Sequence, residues 1–360
     1  MGGTLPLRDD LQGLAPYGAP MLDVPVRLNV NENPYPPSAG LVADAAAAVG
    51  EAVRGLNRYP DRDAVDLRRE LAAYLGHGLD ASRVWAANGS NEVMLQLLQA
   101  FGGPGRSALS FAPTYSMYPQ YARDTATSWV VGRRRDDFAV DPDHALDQVR
   151  RHEPSVILLA SPNNPTGTAV PLELVTALHG ATDGIVVVDE AYAEFRRAGT
   201  PTALSLLADH PRLAVVRTMS KAFAFAGARL GYVATAEQVV AALQIVRLPY
   251  HLSAVTQAVA RVALAHAGEL LATVDAIRAD RDELAGWLRG LGLTVADSDA
   301  NFVLFGRFAD RHAVWQGLLD RGVLLRETGP PGWLRVSVGT PAELAAFRAA
   351  LQDVTREVPR

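Results

Sequence analysis

Lys221 is the residue in this sequence best placed to do covalent chemistry. It lies in the run Arg217-Thr218-Met219-Ser220-Lys221-Ala222-Phe223-Ala224-Phe225-Ala226-Gly227-Ala228-Arg229-Leu230-Gly231, just beyond an apolar stretch at 213–216 that reads as a strand. An amine among small and apolar side chains is poorly solvated, which lowers its pKa and favours a neutral, imine-forming nucleophile. Ser220 and Arg229 flank it with a hydroxyl and a guanidinium, groups suited to a phosphate. Taken alone, the same run also describes an ordinary loop lysine ahead of a glycine-containing helix.

Other apolar runs end in polar groups in the same way. The run 185–188 is followed by Asp189, Glu190, Ala191 and Tyr192, so a carboxylate stands at a strand end. A lone aspartate there is a helix cap or a metal ligand as readily as a catalytic group. After 156–160 come Ser161, Pro162, Asn163, Asn164, Pro165, Thr166 and Gly167, a composition that by itself spells a rigid turn. After 84–87 come Asn88, Gly89, Ser90, Asn91 and Glu92, which open a helical pattern at 93–101. Free N–H groups at a helix start bind phosphate, and Ser90 or Asn91 also serves as a plain N-cap; both uses are compatible. Tyr115 follows the strand-like run 107–111 and reads alone as a core aromatic.

These positions need a scaffold that gathers strand ends. The runs at 84–87, 107–111, 156–160, 185–188, 213–216 and 230–234 alternate with turn signals and helical patterns, and several are apolar throughout, as strands buried on both faces must be. That alternation predicts an α/β fold with a parallel sheet, whose ligands lie beyond the carboxyl ends of the strands. Before it, the stretch through Pro37 is rich in proline and asparagine; Leu41, Val42, Ala45, Val49 and Val53 then share one side of a helix, and 67–75 reads as another. After Pro249 a long helical region at 255–291 leads into strands at 301–305, 323–326 and 334–338 and helices at 311–321 and 341–354. The expected division is a large α/β domain at 38–250, with 1–37 and 251–360 forming an N-terminal arm and a smaller α+β domain.

Composition narrows the classes. The 360 residues are 49% hydrophobic and 20% charged, with a net charge of -5, which argues against nucleic acid or an anionic membrane as partner. There are no cysteines, so disulfides, thiolate metal sites and cysteine nucleophiles are excluded. The polar, acidic start is unlike a signal peptide and the apolar runs are far short of a membrane span, so a cytoplasmic protein is expected.

The run 218–227 matches the cofactor-attachment pattern of the class-II aminotransferases: Thr, hydrophobic, small, Lys, small, hydrophobic, small, two free positions, small. The chain resembles that family over nearly its whole length, from about Pro16 to Thr340. The resemblance implies a fold-type-I enzyme with pyridoxal 5′-phosphate held by Lys221 as a Schiff base. Asp189 would keep the pyridine nitrogen protonated so that the ring accepts electrons from a substrate carbanion. Tyr192 and Asn164 would contact the phenolic oxygen, and Tyr115 would stack on the ring. Gly89, Ser90, Asn91, Ser220 and Arg229 would hold the phosphate. Tyr59 resembles the tyrosine that reaches a neighbouring subunit's phosphate, which implies a homodimer with shared sites.

Several strings resemble the histidinol-phosphate aminotransferase family in particular, its actinobacterial branch above all: Pro16-Tyr17, Leu28-Asn29-Val30-Asn31-Glu32-Asn33-Pro34, Arg58-Tyr59-Pro60, Ala300-Asn301-Phe302 and Trp333-Leu334-Arg335. The implied reaction is L-histidinol phosphate plus 2-oxoglutarate giving imidazole-acetol phosphate plus L-glutamate, by ping-pong kinetics. Arg335 and Arg326 would bind carboxylate or phosphate, and Tyr17 and Asn33 would lie on the substrate side; each arginine alone is equally a salt-bridge residue. An aromatic amino-acid aminotransferase and a threonine-phosphate decarboxylase share these features. A non-catalytic regulator on the same fold would carry a fused basic DNA-binding module, which this sequence does not show.

Overall fold

The computed structural model describes residues 5–357. The chain enters through a two-residue strand, β1 (Val26–Arg27), and two helices, α1 (Ala39–Arg54) and α2 (Val65–Leu75). Seven strands follow: β2 (Val84–Ala87), β3 (Ser107–Ala112), β4 (Ser128–Arg133), β5 (Val156–Ala160), β6 (Ile185–Asp189), β7 (Leu213–Thr218) and β8 (Gly231–Thr235). Between and after them run α3 (Ser90–Phe101), α4 (Tyr118–Asp124), α5 (Pro142–His152), α6 (Leu172–Ala181) and α7 (Glu237–Val246).

The seven strands form one sheet in the order β2-β8-β7-β6-β5-β3-β4. Successive residues of a strand face opposite sides, and both sides are covered: Ile157 and Leu159 join one apolar cluster, Val156 and Leu158 the other. Double coverage explains why β5, β6 and β7 are buried along their whole length. The sheet is mostly parallel, with β8 antiparallel to both β2 and β7. The 219–230 connection contains only a one-turn 3-10 helix and so folds the chain straight back rather than crossing over the sheet. Because β8 separates them, β2 and β7 still point the same way, and the carboxyl ends of β2, β3, β5, β6 and β7 open on one edge.

The sequence reading missed β4, an edge strand only partly buried, whose pattern is not continuous enough to stand out. The helical region at 255–291 is two helices, α8 (Ala254–Ala265) and α9 (Ala267–Gly290), divided at His266. On α1, Leu41 is buried but Val42 and Val53 are 53% and 52% exposed, so the expected apolar side is only partly covered in the single chain.

The smaller α+β unit contains β9 (Thr294–Val295), β10 (Phe302–Gly306), α10 (Arg311–Asp320), β11 (Val323–Leu324), β12 (Arg326–Glu327), β13 (Trp333–Ser337) and α11 (Pro341–Glu357). Its sheet runs β12-β13-β10-β9, antiparallel throughout, while β11 pairs in parallel with β1. The expected strand at 323–326 is thus two short ladders with different partners. Beyond β1 the chain stays attached, since the Ser337 N–H donates to the Leu28 carbonyl at 2.9 Å. The segment 28–33 therefore runs between the smaller unit and the open edge of the large sheet.

Candidate active site

One cavity opens at the carboxyl edge of the large sheet, and most of the residues singled out in the sequence line it. Asp189 ends β6, Ser220 and Lys221 follow β7, Asn164 lies in the loop after β5, Tyr115 follows β3, and Ser90 and Asn91 open α3 beyond β2. Arg335 and Arg326 reach it from β13 and β12, and Tyr17 from the N-terminal arm. Strands far apart in sequence thus deliver side chains to one place because the sheet is parallel where it matters.

Lys221 Nζ donates to the Val30 carbonyl at 3.0 Å. Burial pulls the amine down from its ordinary value to about 8; the positive charges of Arg335 and Arg229 act in the same direction, and Glu32 opposes them. Burial pushes the Asp189 carboxyl up to about 6, resisted by two donors: the Tyr118 hydroxyl at 2.9 Å on Oδ2 and the Ala191 N–H at 3.1 Å on Oδ1. Asp189 is still mostly ionised at neutral pH. Tyr192 Oη accepts a hydrogen bond from Asn31 Nδ2 at 3.0 Å.

The α3 end of the cavity is built for an anion. Gly89 is the N-cap residue with φ +82, and no side chain caps the helix. Glu92 accepts instead from the backbone and side-chain nitrogens of Asn88, and the N–H groups of Ser90 and Asn91 find no acceptor among the described residues. A Cβ on Gly89 would lie 2.5 Å from Arg229 Nη2, so the glycine makes room for the guanidinium beside those N–H groups. Gly231 allows an equally close approach, since a Cβ there would stand 2.1 Å from the Ser90 nitrogen. Ser220 adds a hydroxyl, oriented by a 2.9 Å bond from Thr218 Oγ1.

The opposite end carries Arg335. Its Nη2 donates to the Asn29 carbonyl at 2.7 Å and its Nη1 to Asn164 Oδ1, while Nε is buried without a partner. Among the described residues it forms no ion pair, and burial lowers its pKa to about 10. A buried guanidinium without a carboxylate partner is costly, and an anion bound at this end of the cavity would offset that cost. Arg326 is less enclosed and, among the described residues, bonds only to the Gly18 carbonyl, at 3.4 Å. Tyr17, 44% exposed, accepts from Ser116 Oγ at 3.0 Å at the cavity mouth.

Two expected residues stand elsewhere. Asn33 does not line the cavity: its amide is committed to the Ala222 carbonyl at 3.2 Å and to Thr273 Oγ1 at 3.3 Å, so it ties the loop behind Lys221 to α9. Tyr59 is 79% exposed and stacks on Tyr250 at 4.3 Å, outside the cavity of its own chain. The sequence reading in turn missed Tyr118, which bonds Asp189, and the segment 29–31, whose carbonyls and amide hold Arg335, Lys221 and Tyr192. Asparagines at 29 and 31 within an otherwise apolar segment were the available signal for the latter.

The cavity thus offers a buried amine with a lowered pKa, a buried carboxylate, unpaired N–H groups beside an arginine, and at the far end an arginine without an ion pair. That donor set fits pyridoxal phosphate: anion cradle, pyridine partner and attachment point occur once each. Comparison with known proteins agrees. The family model for aminotransferase class I and II matches residues 24–351. A histidinol-phosphate aminotransferase of Thermobifida fusca is 66% identical over 351 residues, covering 98% of this chain and 96% of that one. A histidinol-phosphate aminotransferase 3 of Burkholderia lata is 64% identical, covering 97% and 96%. Among solved structures, the histidinol-phosphate aminotransferase of Sinorhizobium meliloti in complex with pyridoxal-5′-phosphate superposes with a TM-score of 0.83 at 26% identity, covering 93% of this chain and 92% of that one. This chain belongs to the class I and II aminotransferases.

Proposed function

We propose that the protein is a pyridoxal-phosphate-dependent aminotransferase interconverting L-histidinol phosphate and 2-oxoglutarate with imidazole-acetol phosphate and L-glutamate. The observation that carries this reading is Arg335, a buried guanidinium without an ion-pair partner among the described residues, lining a cavity that also holds a lysine and an aspartate. A planar fork accepts the carboxylate of glutamate or the phosphate of histidinol phosphate equally well, as a two-substrate exchange through one pocket requires. The full-length similarity to histidinol-phosphate aminotransferases supports the same substrates.

Bound pyridoxal phosphate supplies the electron sink for the carbanion at the substrate Cα. The rest is done by this chain. Lys221 would be the attachment point, and its amine, with a pKa near 8, is neutral often enough at neutral pH to take a proton from the substrate Cα and return it. Asp189, ionised above about pH 6, would hold the proton of the pyridine nitrogen. Ser90, Asn91, Ser220 and Arg229 would bind the phosphate, with Gly89 giving the clearance. Tyr115 would lie against the ring, and Tyr192 and Asn164 would meet its phenolic oxygen. Arg335, aided by Arg326, orients the anionic end of the substrate, and Tyr17 narrows the mouth.

The same reading includes a homodimer in which Tyr59 reaches the partner's phosphate site, supported by its exposure and its position outside its own cavity. A cytoplasmic location accords with the absence, among the described residues, of any helix long and apolar enough to cross a membrane.

The test is product identification. With both substrates, one glutamate should form for each histidinol phosphate consumed. Glutamate formed from L-phenylalanine but not from histidinol phosphate would reassign the enzyme to aromatic amino acids.

A further inference from the structure

Tyr192 has one hydroxyl proton, and the direction in which it points decides whether the residue can donate into the cavity. The surrounding hydrogen bonds fix that direction, starting from the backbone. The Asn31 N–H, which can only donate, lies 2.9 Å from Ser337 Oγ. Ser337 Oγ in turn lies 2.9 Å from Asn31 Oδ1 and is 4% exposed, so its own proton has the amide oxygen as its acceptor. With Oδ1 so engaged, the other end of the amide, Nδ2, faces Tyr192 Oη at 3.0 Å and donates to it. The phenol then accepts from Asn31 and keeps its proton free for the cavity.

We propose that Asn31 and Ser337 are positioning residues that set this donor direction, so that Tyr192 always presents its proton to the phenolic oxygen of the bound cofactor. The reversed arrangement has Asn31 Oδ1 accepting from Tyr192 and Nδ2 facing Ser337. It leaves the buried Ser337 proton without an acceptor, which is what disfavours it. The inference deepens the aminotransferase reading and rests on it.

Two features hold the relay in place. Asn31 has φ +58, a left-handed conformation that asparagine and aspartate tolerate and most residues do not. Its carbonyl accepts from Asn301 Nδ2 at 3.0 Å, and the whole residue is 2% exposed. Ser337 lies two positions beyond Arg335 on β13, so one strand supplies both the anion-binding guanidinium and the start of the relay. A shift of β13 would disturb both together.

The experiment reads the pH midpoint of the visible absorption of the cofactor-loaded protein, together with the rate at which the cofactor is released. A donor on the phenolic oxygen stabilises its negative charge and weakens the hold on the nearby proton, so losing the donor raises the midpoint. Ser337→Ala should raise it by about one pH unit, the scale of a hydrogen bond to a charged oxygen. Ser337→Thr, which keeps the hydroxyl, should restore the wild-type midpoint. Asn31→Asp can only accept from Tyr192 and so inverts the relay. Its added charge also acts directly, and a Tyr192→Phe background separates the two effects. In that background Ser337→Ala should cause no further shift, and Asn31→Asp should keep only the part due to charge.

If Ser337→Ala fails to fold, the Asn31→Asp and Tyr192→Phe pair carries the same comparison. An unchanged midpoint in Ser337→Ala, or shifts of equal size with and without the Tyr192 hydroxyl, would overturn the inference. A wild-type protein with no visible band after loading would instead overturn the cofactor reading beneath it.

Discussion

The Tyr118 hydroxyl donates to Oδ2 of Asp189 at 2.9 Å in a fully enclosed setting, and it opposes the burial that pushes this carboxyl up to about 6. The same ring meets Tyr115 edge to face at 5.6 Å, so one residue braces both Tyr115 and Asp189. Tyr118→Phe removes only the donor. The Asp189 pKa should then rise further, and the cofactor should bind about tenfold more weakly, the loss expected when a hydrogen bond to a carboxylate disappears. Carboxyl titration by NMR in the cofactor-free protein checks the first, and fluorescence binding of the cofactor checks the second.

Gly89→Ala should damage the phosphate end without touching the lysine. The new Cβ would fall 2.5 Å from Arg229 Nη2, at a backbone φ of +82 that disfavours alanine. Cofactor affinity should fall at least about tenfold, with a stability cost of about 1 kcal/mol. Titration of the cofactor-free variant and a denaturant melt measure the two.

Lys221 carries a stability signature of its own. Its folded pKa, about 8, lies below the ordinary 10.5, so between these values the unfolded chain binds more protons and stability rises with pH. Below pH 8 the full penalty of burying the charged amine applies. Lys221→Met should therefore abolish activity yet stabilise the cofactor-free protein at pH 7 by on the order of 1–3 kcal/mol, read as a higher melting temperature. That advantage should fade as pH climbs from 8 towards 10.5, which thermal melts across the range would show.

The two arginines should separate in mutant kinetics. Arg335 is buried with a free Nε, whereas Arg326 is partly open and bonded to one carbonyl. Arg335→Lys removes the fork while keeping the charge and should lower kcat/KM for both substrates by about a hundredfold. Arg326→Ala should cost about tenfold or less. Equal losses would mean that the pocket distributes anion binding differently.

The strand-end chemistry was legible because each piece is local: a buried apolar run, then Lys221, Asp189, Asn164 or Ser90 within a few residues. The parallel sheet does the gathering, so the order of the runs was enough to place these groups together. What escaped were contacts between distant segments. Asn31 meets Tyr192 across 161 positions and Arg335 meets the Asn29 carbonyl across 306, and no periodicity encodes such meetings. Asn33 was misplaced for a related reason, since a string that matches a family does not say which of its asparagines turns towards the cavity. β4 was lost because an edge strand needs only one buried face.

The most direct test of the account is a single-turnover spectrum of the cofactor-loaded protein, mixed separately with L-histidinol phosphate and with L-phenylalanine. The account predicts a visible band that is lost far faster with histidinol phosphate and returns when 2-oxoglutarate is added. A faster loss with phenylalanine would contradict the substrate assignment, and a loaded protein with no such band would contradict the role of Lys221 itself.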